Sequence, residues 1–183
     1  MEGMEKGSYN SMNPPLKRIA LIGPESTGKT TLCKGLAEHF KTAWVPEFAR
    51  DYVKQLNRKY TLEDVIYCAQ KQLEDEERKA EIANRFLFCD TELITAKVWC
   101  EDVFKTVPYW IEDALQKHPY DLFLLTYPDL PFEDDPVREN HNRRQFFFDW
   151  YEMELKQYQF QYQIIKGIGE GRLQQAIKAV AKL

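Results

Sequence analysis

Gly23-Pro24-Glu25-Ser26-Thr27-Gly28-Lys29-Thr30 satisfies the spacing G-x-x-x-x-G-K-[ST] at every required position. Glycines in such a run let the backbone curl until several N–H groups face one cavity. A helix starting directly behind them adds its positive dipole end. A cavity of that kind holds phosphates. Gly23, Glu25, Ser26, Thr27, Gly28, Lys29, Thr30 and Thr31 are therefore the candidate nucleotide-binding residues. Lys29 is expected to reach the β- and γ-phosphates, and the Thr30 hydroxyl to ligate Mg²⁺. ATP and Mg²⁺ are the expected cofactors, although the loop alone does not separate ATP from GTP.

The loop does not name the reaction, but other parts of the chain narrow it. A GTPase of the usual kind adds N-K-x-D and a D-x-x-G after the third strand, whereas here that strand ends Asp90-Thr91-Glu92-Leu93 and no N-K-x-D occurs. A transport-ATPase signature such as L-S-G-G-Q is missing, and 183 residues are few for a helicase core. What remains is a kinase of nucleotide- or nucleoside-kinase size. Such an enzyme needs a carboxylate for the acceptor's proton, an acceptor pocket and a cationic lid.

Glu47 lies in Val45-Pro46-Glu47-Phe48-Ala49-Arg50, just past the second strand. In a doubly wound sheet the carboxyl ends of the strands open onto one crevice, so Glu47 is placed to act as general base. Arg50, three residues on, would share its helical face. The plainer reading makes Glu47 a helix-start acid and Arg50 its surface partner. Asp90 closes the third strand, where a carboxylate commonly holds the Mg²⁺ water shell, and it rivals Glu47 as base. Thr91 is expected to cap the next helix. Trp99 sits two turns along it, either in the core or stacked on the acceptor's base.

A lid is expected over about residues 131–145, with Arg138 and either Arg143 or Arg144 neutralising charge on the transferred phosphoryl group. A salt-bridged helix start behind Asp134 and Asp135 is the alternative. Gly167 and Arg172, in Lys166-Gly167-Ile168-Gly169-Glu170-Gly171-Arg172, are candidates for adenine contact, or else form an ordinary strand-to-helix turn.

The elements that must position these residues alternate. Apolar runs at 18–23, 42–45, 86–90, 122–126 and 162–165 read as strands, with helical patterns between them. The longest helix is expected from Thr61, with Asp64 completing a capping box, to about Asn84. Strands alternating with helices imply right-handed crossovers and a parallel sheet covered on both faces. The expected fold is α/β: a five-stranded parallel sheet of P-loop NTPase type, nucleoside-kinase-like, with a lid. Residues 1–16 read as a flexible tail and 17–183 as one kinase domain.

Hydrophobic residues make up 44% and charged residues 30% of the chain, which suits a soluble globular domain. The net charge of −4 argues against a nucleic-acid-coating surface. No apolar run is long enough to span a membrane, and the first residues lack the apolar core of a signal peptide. Cys33, Cys68, Cys89 and Cys100 form no C-x-x-C pair and read as reduced structural thiols, hence a cytoplasmic protein. His39, His118 and His141 show no metal-ligand spacing. The partner expected is a small nucleoside, neither nucleic acid nor membrane.

Taken together, residues 23–30, Val-Pro-Glu-Phe-Ala-Arg-Asp-Tyr at 45–52, Cys-Asp-Thr-Glu-Leu-Ile-Thr at 89–95 and Trp99 resemble a specific kinase domain. So do Tyr-Pro-Asp-Leu-Pro-Phe-Glu-Asp-Asp at 127–135, Arg138 and Arg143. The resemblance, over about 17–180, is to the ribosylnicotinamide kinase half of bacterial bifunctional enzymes that also carry an NMN adenylyltransferase domain. It implies transfer of the ATP γ-phosphate to the ribose 5′-hydroxyl of nicotinamide riboside, a salvage step towards NAD. It also implies that Glu25, Glu47, Arg50, Asp90 and Trp99 form the acceptor pocket. Glu25, inside the loop, would hold the acceptor ribose or help place Mg²⁺. The H-x-G-H motif of the adenylyltransferase half is missing, so that second activity is expected to be missing too.

Overall fold

In the computed structural model, residues 15–117, 120–133 and 141–183 are described. Among them, β1 (Lys17–Ile22), β2 (Trp44–Val45), β3 (Phe86–Asp90), β4 (Leu122–Thr126) and β5 (Tyr162–Ile165) form one sheet in the order β2-β3-β1-β4-β5. Every strand pair is parallel. The connecting helices are α1 (Lys29–Phe40), α2 (Phe48–Gln55), α3 (Leu62–Ala80), α4 (Leu93–Trp99), α5 (Tyr109–Lys117), α6 (Arg144–Gln157) and α7 (Gly169–Val180).

Alternation along the central strands builds two cores, one on each face. Ala20 and Ile22, Leu87 and Cys89, and Phe123 and Leu125 point to the side covered by α3 to α6. Their neighbours Ile19 and Leu21, Phe86 and Phe88, and Leu122 and Leu124 point to α1 and α7. Both faces are dry, which is why these strands read as unbroken apolar runs. All four cysteines are buried and none is in a disulfide. Among the described residues no helix is long and apolar enough to cross a membrane.

Local chemistry sets the element ends. The capping box of Thr61 and Asp64 is present, and Arg58 and Tyr52 also bind the Asp64 carboxylate. α3 stops at Ala80, short of the expected Asn84, because the chain must turn into β3. Arg85 takes a left-handed φ of 52° and its carbonyl accepts from the Lys17 N–H. β2 is shorter than 42–45: the Thr42 hydroxyl donates to the Phe86 carbonyl and accepts from the Asn84 N–H, closing the turn after α1. α1 begins at Lys29, directly behind Gly28, as the loop motif leads one to expect. Leu16, assigned by the sequence to the tail, packs against the core.

Candidate active site

The loop between β1 and α1 is held from below. Gly23 has φ 148°, and a Cβ there would lie 2.2 Å from Thr126 Oγ1, so the position excludes every other residue. Thr126, at the end of β4, donates to the Thr27 hydroxyl at 2.7 Å, with the Ile22 carbonyl 3.1 Å from the same oxygen. Thr27 also caps the curl by donating to the Pro24 carbonyl at 2.8 Å. Gly28 stands at the N-cap of α1 with φ 73°. Lys29 folds back along the loop and donates to the carbonyls of Gly23 and Pro24, both at 2.8 Å.

Arg172 reaches up from α7 and is almost fully buried. It donates to the carbonyls of Thr27, Tyr127 and Gly167 and to the Asp129 carboxylate, at 2.8–3.0 Å. Asp129 in turn accepts from the Gly167 N–H at 2.6 Å. Gly167 and Arg172 thus fasten the last strand-to-helix turn to the phosphate loop. Replacing Arg172 with Met leaves a buried set of acceptors unpaired, a loss of about 3 kcal/mol or more. Thermal unfolding is expected to show a melting temperature lower by roughly 6–12 °C.

Asp90 pairs with Leu21 at the carboxyl end of the sheet and is fully buried. Its Oδ2 accepts from the Thr30 hydroxyl at 2.5 Å, while Oδ1 has no partner among the described residues. Burial pushes this carboxyl above its ordinary range, opposed by the Lys29 ammonium and the Thr30 hydroxyl. An unsatisfied buried carboxylate oxygen beside a helix-start hydroxyl suits a hard cation that takes its remaining ligands from phosphates and water. The residues present therefore fit Mg²⁺.

Glu47 occupies the N-cap position of α2 and makes no side-chain capping bond. It lines a cleft of about 2050 Å³ with Glu25, Arg50, Trp99 and the phosphate loop. Burial raises the Glu47 carboxyl, and the Asp90 and Glu25 charges add to that against Lys29 and Arg50. Trp99 ends α4 on the cleft wall, edge-on to Tyr60 at 4.8 Å. Beyond it the helix widens into a π-turn, Cys100–Phe104, a distortion that often marks functional sites.

Thr91 is not the cap of α4. Its N–H still bonds to the Leu21 carbonyl in the sheet ladder, so the helix starts one residue later. Glu92 caps it instead, accepting from the N–H groups of Ile94 at 2.6 Å and Thr95 at 3.2 Å. Burial lifts the Glu92 carboxyl to about 8. Thr91 itself is strained at φ 74°, with a buried hydroxyl that has no partner among the described residues.

Only 131–133 and 141–145 of the expected lid are among the described residues, and Arg138 lies outside them. Arg144 touches the phosphate loop, donating to the carbonyls of Ser26 at 3.1 Å and Leu130 at 2.8 Å. Arg143 lines the cleft, stacked over Phe146 and Phe147, and forks onto Asp102 of the π-turn at 2.6 and 2.8 Å. Thr126, Asp129, Asp102 and Arg144 are the site residues that sequence reasoning left unassigned or undecided. Asp129 and Asp102 carry no local signal, because their partners lie about 40 residues away.

Fold and cleft together define a P-loop domain whose cleft is lined by the carboxylates Glu25 and Glu47. The chain belongs to the AAA domain family, whose model matches residues 18–172. It is similar to the trifunctional NAD biosynthesis/regulator protein NadR of Escherichia coli, at 28% identity over 129 residues, 67% of this chain and 31% of that protein. The Salmonella typhimurium protein of the same name is 26% identical over the same length. A crystal structure of NadR protein in complex with NR superposes with a TM-score of 0.81 at 25% identity, covering 91% of this chain and 51% of that one. Deoxyadenosine kinase from M. mycoides superposes at 0.65 with 12% identity, a likeness of fold alone. The chain spans about a third of the length of the curated relatives it matches. These matches bear out the resemblance read from the motifs, and the parallel five-stranded fold with it.

Proposed function

We propose that this domain transfers the γ-phosphoryl group of ATP to the 5′-hydroxyl of nicotinamide riboside, giving nicotinamide mononucleotide and ADP. The observation that carries the reading is one cleft lined by Glu47, Arg50 and Trp99 together with Glu25 and the rest of the phosphate loop. The likeness to a NadR structure holding NR supports the acceptor. Loop amides and Lys29 would bind the triphosphate, and the Gly167–Arg172 turn would shape the adenine side. Thr30 and Asp90 would hold Mg²⁺, which offsets phosphate charge when bound. Glu47 accepts the proton of the 5′-hydroxyl as its oxygen attacks the γ-phosphorus and the bond to the ADP oxygen breaks. Arg50 and Glu25 flank the ribose, and Trp99 offers a flat face to the base. Arg138 and Arg143 would neutralise charge on the transferred phosphoryl group, Arg143 by exchanging Asp102 for phosphate oxygens. Four buried, unlinked thiols support a cytoplasmic setting.

The test is ADP release by the purified protein with Mg-ATP, across nicotinamide riboside and a panel of nucleosides. Stimulation by nicotinamide riboside supports the reading; stimulation by another nucleoside alone overturns the acceptor. Glu47→Gln is expected to lower kcat by about 10²–10⁴ while nucleotide binding persists. Because the Glu47 carboxyl lies above its usual range and acts ionised, kcat/KM is expected to rise with pH through that raised carboxyl and to fall below it. Near-wild-type kcat in Glu47→Gln would transfer the base role to Asp90.

A further inference from the structure

α3 buries Val65, Cys68, Ala69, Gln72 and Glu76 along one stripe. An apolar side chain would fit the stripe at 72, yet the residue there is an amide that is only 6% exposed. A buried amide is costly unless its donors and acceptor are all used. Gln72 uses them on two segments. Its Oε1 accepts from the Phe48 N–H at 3.0 Å, one of the α2 N-terminal groups that Glu47 leaves uncapped. Its Nε2 donates to the carbonyls of Thr91 at 3.3 Å and Asp90 at 3.5 Å. One planar amide therefore ties the residue after Glu47 to the peptide of Asp90, at the point where the strained Thr91 leaves the sheet.

We infer that Gln72 is a positioning residue for phosphoryl transfer, setting the separation of the Glu47 and Asp90 carboxylates without touching either substrate. The inference rests on the kinase reading above. β3 fixes Asp90 through its ladder, but Glu47 follows a two-residue edge strand and has no such anchor. The α3 amide supplies one. Being neutral, it does so without adding a charge between the two acids. Misplacing a reacting group by about 1 Å can cost on the order of 10²-fold in rate.

The experiment compares steady-state kinetics of wild type, Gln72→Met and Gln72→Glu with Mg-ATP and nicotinamide riboside, alongside melting temperatures. Gln72→Met keeps the volume and loses all three bonds. Gln72→Glu keeps an acceptor for Phe48 and loses the amide donor, so it serves if the first variant does not fold. The expected result is a kcat about ten- to a hundredfold lower, with KM for ATP within about twofold of wild type because the phosphate loop is untouched. A purely structural Gln72 would lower the melting temperature and leave kcat within twofold, and that outcome overturns the inference. If the wild type phosphorylates nicotinamide riboside, such a result removes Gln72 alone. If the wild type phosphorylates no acceptor, the kinase reading falls and the positioning role falls with it.

Discussion

Lys29→Met is expected to lower phosphoryl transfer by about 10²–10³-fold, the cost of removing one preorganised donor aimed at developing charge. The ammonium is held 2.8 Å from the Gly23 and Pro24 carbonyls, so it lies along the inner edge of the loop before any phosphate arrives. On the proposed reading, binding of the triphosphate would exchange those carbonyls for β- and γ-oxygens at little conformational cost. Methionine retains the stem and loses the charge. The loop itself is expected to survive, because Thr27, Thr126 and Arg172 hold it without help from Lys29. Single-turnover rates with saturating ATP separate this loss from weakened nucleotide binding. A variant within threefold of wild type would show that the loop is not used for phosphoryl transfer.

Asp90→Asn is expected to move activity and stability in opposite directions. The carboxylate is fully buried, with one oxygen unpaired among the described residues and its ionisation disfavoured by burial. An amide still accepts from Thr30 and carries no charge to desolvate, so the folded protein should be at least as stable. The sign can be checked by pH. A carboxyl raised in the folded state costs the wild type stability as pH climbs through the carboxylate range, and the variant lacks that slope. Catalysis should fall about 10²-fold, as for the loss of one charge-stabilising group in the reacting site. The Mg²⁺ concentration needed for half-maximal rate should rise. Melting curves from acid to neutral pH and Mg²⁺ titrations of kcat check the two halves separately.

Much of this arrangement could be read from the chain because it is local. The phosphate loop is a contiguous run, and the capping box of α3 spans four residues. The central strands are apolar on both faces and announce a covered parallel sheet. Asp90 could be placed because a strand ending in a carboxylate beside the loop follows from topology. What escaped depends on distance in sequence. Thr126 under Thr27, Asp129 on Arg172 and Gln72 between two acids join segments that no periodicity connects. The cap of α4 shifted by one residue, from Thr91 to Glu92, because the ladder bond of the Thr91 N–H to Leu21 extends the sheet. Arg143 and Arg144 are adjacent and alike in sequence. Only the fold sends one to Asp102 and the other to the carbonyls of Ser26 and Leu130.

Phosphorus NMR of the product formed from Mg-ATP and nicotinamide riboside tests the central claim most directly. A phosphate monoester coupled to the C5′ methylene protons, appearing in step with ADP, is the predicted result. ADP accumulating with inorganic phosphate while the riboside stays unmodified would contradict it.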